Sequence, residues 1–151
     1  MPRKLIPYLR WPVAFGIILA PLLVIWLWPM SYWFDVRMVH INDARIGEPI
    51  EMLVQRDVRN SFTGMYYVTI HKWMTNGPSG YCRMQGGPWE YKKGAVYPVP
   101  LTLLWWTEGS KDCNRPPPGQ YQITTRWVKL SDGLLPEKSV TAVSNIFTIT
   151  P

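Results

Sequence analysis

The chain has 151 residues, 47% of them apolar, a formal net charge of +6, nine Trp and two Cys. Arg3, Lys4 and Arg10 account for half of that charge, and from residue 31 onward 13 Lys/Arg stand against 10 Asp/Glu. So small and scattered an excess excludes the clustered basic surface of a nucleic-acid-binding protein, and the length left after the N-terminal run admits one domain.

The first predicted element is a charge-free run from Trp11 to Phe34. Its strictly apolar part, Trp11 to Trp28, would extend about 27 Å as a helix, close to the hydrocarbon thickness of a bilayer. A secretory signal peptide needs small residues at a cleavage site, whereas Pro29, Met30, Ser31, Tyr32, Trp33 and Phe34 follow here, so an uncleaved anchor fits better. Basic residues stay on the cytoplasmic side of a spanning helix, which predicts a cytoplasmic N-terminus at the inner membrane and an exported C-terminal domain. Trp11 at one end and Trp26, Trp28, Tyr32 and Trp33 at the other are expected at the two headgroup layers. Pro21 falls mid-span, and the span holds no ionisable residue of the kind that marks transport. The expected division is a basic N-terminus over 1–10, a transmembrane helix over 11–30, a linker over 31–35 and an exported domain over 36–151.

The exported part reads as all-β, with short alternating stretches separated by Gly, Pro, Asn and Asp clusters. Residues 36–41 open it. After Gly47-Glu48-Pro49, the residues Ile50, Met52, Val54 and Val58 share one face of a half-buried strand. Met65 to Trp73 puts Val68 and Ile70 on one face and Tyr67, Thr69, His71 and Trp73 on the other. Asn76 to Gly80 breaks that strand, and a loop-rich middle containing Gly86-Gly87-Pro88 leads to a strand over Leu101 to Trp106, with Pro98 and Pro100 marking an edge or bulge. Tyr121 to Leu130 alternates again, and Ser139 to Thr150 closes the domain. Arg56/Arg59 and Lys92/Lys93 read as solvated loop and edge charges, with contact to anionic lipid as the alternative for the lysines.

About seven strands with turn signals at this spacing predict a Greek-key β-sandwich preceded by one transmembrane helix. The segment Pro118-Gly119-Gln120-Tyr121-Gln122-Ile123-Thr124-Thr125-Arg126-Trp127 resembles the penultimate strand of bacterial and phage Ig-like or fibronectin-III-like modules, and Val143-Ser144-Asn145-Ile146-Phe147-Thr148-Ile149 resembles their last strand. The resemblance covers about residues 116–150 and implies an Ig-like sandwich. It implies no particular function, because such modules serve adhesion, assembly and transport alike. The Cys-Trp-Cys spacing of antibody-type domains is absent.

Cys82 and Cys113 both fall in turn-rich segments of the exported part, where oxidation is permitted, and a disulfide between them is expected ahead of two free thiols or a metal site. There is no phosphate loop, no nucleophile elbow and no zinc-protease motif, and His40 and His71 read as ordinary strand histidines. No catalytic residue, metal or cofactor is expected, and the chain is not read as an enzyme. The surplus of Trp points instead to binding. If Leu101, Leu103 and Trp105 face the core, Trp106 faces out, and with Tyr67 and Trp73 it forms the candidate partner surface. The expected partners are the lipid bilayer and an envelope or phage-encoded protein assembly, with a cell-wall glycan stacked on the tryptophans as the alternative.

Overall fold

The computed structural model describes residues 6–95, 100–107, 113, 116–133 and 135–151, and within these the side chains of 6–14, 18, 100, 105 and 107 lie outside the description. Arg3, Lys4, Pro98 and the side chains of Arg10, Trp11 and Trp105 therefore lie outside the described residues.

Residues Ile6–Leu27 form α1, 22 residues that continue through Pro21. Among the described residues, no helix is long and apolar enough to cross a membrane. Pro29 ends the helical path, since its ring disfavours helical backbone at Trp28, and a short 3-10 turn over Met30–Tyr32 follows. Met30 and Trp33 turn into the protein core. Trp33 is thus a core residue and not the interface residue its position predicts. Trp28 and Tyr32 are exposed and stack with ring centroids 4.4 Å apart.

Nine strands follow among the described residues: β1 (Phe34–Ile41), β2 (Ala44–Arg45), β3 (Glu51–Val58), β4 (Phe62–Met74), β5 (Gly77–Tyr91), β6 (Pro100–Thr102), β7 (Gly119–Lys129), β8 (Lys138–Val143) and β9 (Phe147–Thr150). A single helical turn, α2, spans Leu104–Thr107. One sheet has the order β1-β3-β6; the other has the order β2-β9-β7-β4-β5, with β8 paired to the C-terminal half of β7. The protein is therefore all-β beyond α1, with two sheets enclosing one core. The even positions Met52, Val54 and Val58 of β3 meet Val68 and Ile70 of β4 and Tyr121, Ile123 and Trp127 of β7, as their period-2 patterning predicts. Two aromatic clusters fill the ends of this core. Phe34, Phe62, Tyr91 and Trp127 lie at the end next to α1, with Phe62 and Tyr91 stacked at 4.7 Å. Tyr81, Trp106, Tyr121 and Phe147 lie at the other.

Three expectations are corrected. The loop-rich middle is the 15-residue strand β5, paired with β4 along its length through bulges at Gly64/Tyr66 and Ile70/His71. The closing run is two strands, because Ser144 and Asn145 use their side chains to bond backbone elsewhere: Ser144 Oγ accepts from the Ile123 amide at 2.9 Å, and Asn145 Oδ1 accepts from the Ile41 amide at 2.8 Å. The strand at Leu101 stops at Thr102, and the chain then turns helically, with the Trp106 amide donating to the Leu103 carbonyl at 3.0 Å. Residues three apart share a face in such a turn, so Leu103 and Trp106 both point inward and Leu104 outward.

Candidate functional site

Trp106 is 0% exposed, packed against Tyr81, Tyr121 and Phe147, and so is removed from the predicted partner surface. Tyr67 and Trp73 occupy outward positions of β4, six residues apart, Tyr67 exposed and Trp73 half-buried. At about 3.3 Å per residue they stand about 20 Å apart, so the three aromatic residues form no single patch. Cys82 and Cys113 are joined as expected, with Cα atoms 5.4 Å apart, which ties β5 to the segment entering β7.

The structure offers a site where patterning predicted packed core. Between the sheets, next to the edge strands β5 and β6, lies a cavity of about 400 Å³. A close-packed interior leaves few voids larger than a water molecule, so a space of this size is a feature to be explained. Small inward side chains line it: Val54 on β3 of one sheet, and the ladder partners Val68 on β4 and Thr125 on β7 of the other. Trp127 forms one wall, and Trp89, 59% exposed, stands at the rim. Gly86 shapes a further wall, because an added Cβ there would overlap the Tyr66 ring, which lies across it.

Polar side chains share this largely apolar lining, Arg56, Glu90, Thr102 and Thr125 among them. Arg56 occupies the inward register of β3 between Val54 and Val58, and its guanidinium carbon lies 5.6 Å from the centroid of the Tyr91 ring. Burial pushes the Tyr91 phenol above its ordinary pKa, and the Arg56 charge works against that rise. Thr125 is 2% exposed, and its hydroxyl has no hydrogen-bond partner among the described residues. Arg56 is accordingly not the solvated loop charge expected of it. The signal was present in the sequence, since position 56 continues the even-numbered apolar series 50, 52, 54 and 58. Thr125 carries no comparable signal, for Thr is common on either face of a strand.

The chain matches no family model, no curated protein and no solved structure.

Proposed function

We infer that this protein is a membrane-tethered binding module, held by α1 in the inner membrane with its sandwich on the extracytoplasmic side, as an accessory part of an envelope or phage-encoded assembly. The observation that carries this reading is the bare apolar surface of α1. Phe15, Ile17, Leu23, Val24 and Leu27 are all more than half exposed, and the run from Trp11 to Phe34 contains no charged residue to solvate them. Apolar surface left in water forfeits about 25 cal/mol per Å², and a bilayer removes that loss. The basic residues before the run favour a cytoplasmic N-terminus.

An Ig-like reading of the sandwich is supported at the start of β7. Tyr121 follows Pro118-Gly119-Gln120, and its hydroxyl donates to the Pro117 carbonyl at 2.7 Å, a tyrosine-corner arrangement of the kind found where the penultimate strand of such domains begins. Binding is placed in the cleft and on the outward face carrying Tyr67 and Trp73. The glycan alternative required Trp73 and Trp106 exposed in one plane, and the burial of Trp106 withdraws its second ring.

Protease treatment of spheroplasts tests the tether. A C-terminal tag is expected to be digested from outside while the protein stays in the membrane pellet after alkaline carbonate washing. A protected C-terminal tag, or recovery in the carbonate supernatant, would overturn the reading.

A further inference from the structure

We propose that the cleft between the two sheets binds a single-chain anionic amphiphile of the fatty-acid class, with its chain along Met52, Val54, Val68 and Trp127 and its carboxylate directed to Arg56. The inference rests on the reading of the chain as a tethered binding module for the source of the ligand, the adjoining bilayer. It adds the site and the chemistry of what occupies it.

Three independent observations converge on this ligand. The walls are mostly apolar and enclose about 400 Å³, toward the lower end of the range for small-ligand sites, which suits one hydrocarbon chain better than two. A guanidinium stands among the inward side chains of β3, where patterning calls for an aliphatic residue, and its planar donors match a carboxylate in geometry and charge. Thr125, buried and with its hydroxyl unpartnered among the described residues, lines the same cleft. Exposed Trp89 and Leu101 give the rim apolar surface, and the Glu90 carboxylate between Trp89 and Tyr91 has Lys92 Nζ at 3.8 Å to offset its charge.

The test uses the full chain in nanodiscs of zwitterionic lipid, with a diazirine-bearing fatty acid and, in parallel, the fatty alcohol of the same chain, followed by mapping of the photolabelled peptides. The acid is expected to label peptides containing Tyr66, Trp89 or Trp127, about tenfold more strongly than the alcohol, the discrimination expected of one charge-assisted contact. Arg56→Met should collapse that ratio toward one, and Thr125→Val should weaken both probes. Equal labelling of the wild type by acid and alcohol would overturn the proposal, and this ratio decides it even if Arg56→Met does not fold. Label confined to α1 would remove the cleft site while leaving the tether intact. Loss of the protein from the nanodisc fraction would remove the tether reading itself.

Discussion

Lys129 places its ammonium 5.2 Å from the centroid of the Trp33 ring and donates to the Leu130 carbonyl at 3.2 Å. The lysine ends β7 and the tryptophan precedes β1, so their contact fastens the segment leaving α1 to the second sheet. Neighbouring groups extend the fastening. Arg59 donates to the Ser31 carbonyl at 3.3 Å and to Asp35 at 2.9 Å, Asn60 donates to the Tyr32 carbonyl at 2.8 Å, and Lys138 donates to the Trp26 carbonyl. The carbonyls freed as the helical path ends are thereby satisfied by domain side chains. α1 is thus joined to the sandwich by a bonded joint, not by a free linker over 31–35.

The joint predicts a graded response. Trp33→Ala should destabilise the domain by about 3–5 kcal/mol through the cavity it leaves. Lys129→Met, which keeps the aliphatic stem and removes the cation, should cost about 2 kcal/mol or less. Urea unfolding followed by Trp fluorescence ranks the two, and an equal loss from both would mean that the ammonium carries more of the contact than its geometry suggests.

Trp106→Ala should likewise act on stability, by about 3–5 kcal/mol, because the ring is wholly enclosed by Tyr81, Tyr121 and Phe147. Trp73→Ala, at a half-buried outward position, should cost markedly less and leave the fold intact. Thermal unfolding of the two variants separates them, and similar midpoints would show that Trp106 is not the core residue described.

The contrast between these two tryptophans shows where the sequence was legible. Alternation placed Val68, Ile70, Tyr121, Ile123 and Trp127 inward because each lies inside a continuous strand, where side-chain direction follows position. It misplaced Trp106 because the strand ends at Thr102 and the period changes from two to that of a helical turn. β5 was unreadable for a different reason. Gly77, Pro78, Gly80, Gly86, Gly87 and Pro88 are strand breakers in a central strand, but β5 is at the edge of its sheet, where a missing amide on the open side costs no ladder bond. The cleft was hidden because a void depends on side-chain volumes meeting across two sheets, which no single strand's pattern reports.

Removing the Cys82–Cys113 bridge by a double Ser substitution should cost about 3.7 kcal/mol by the chain-entropy estimate for a loop of this length. Cys82 and Cys113 are both buried, so polar Ser at these positions adds to the loss. Comparison of oxidised and reduced wild-type protein in urea isolates the cross-link itself, and unchanged midpoints on reduction would show that the loop is constrained by packing alone.

Burial raises the Tyr121 pKa to about 12, with the nearby Tyr81 adding to the rise. The native state then keeps this proton at pH values where the unfolded chain has released it. Stability from this group is complete below about pH 10 and is lost as pH rises toward 12. Tyr121→Phe should flatten the alkaline arm of the stability profile. At neutral pH it should cost about 1 kcal/mol for the lost bond to the Pro117 carbonyl. Denaturant midpoints measured from pH 8 to 12 check both, and an unchanged alkaline slope in the variant would assign that arm to other groups.

Gly86 permits a local test of the cleft that does not touch its polar groups. Tyr66 lies directly opposite on β4, and an added Cβ at position 86 would overlap the outer atoms of its ring. Only the far end of a side chain is in the way, so the ring is expected to swing aside while the backbone ladder holds. Gly86→Ala should therefore cost about 1–3 kcal/mol, the usual range for added volume at a packed site, less what a stiffer unfolded chain returns. The displaced ring alters the wall of a cavity that Tyr66 helps to line, so photolabelling by the fatty-acid probe should change while the protein stays folded. A large drop in midpoint would mean that the Gly86–Tyr66 contact is part of the strand register, and unchanged labelling would place the ligand away from this wall.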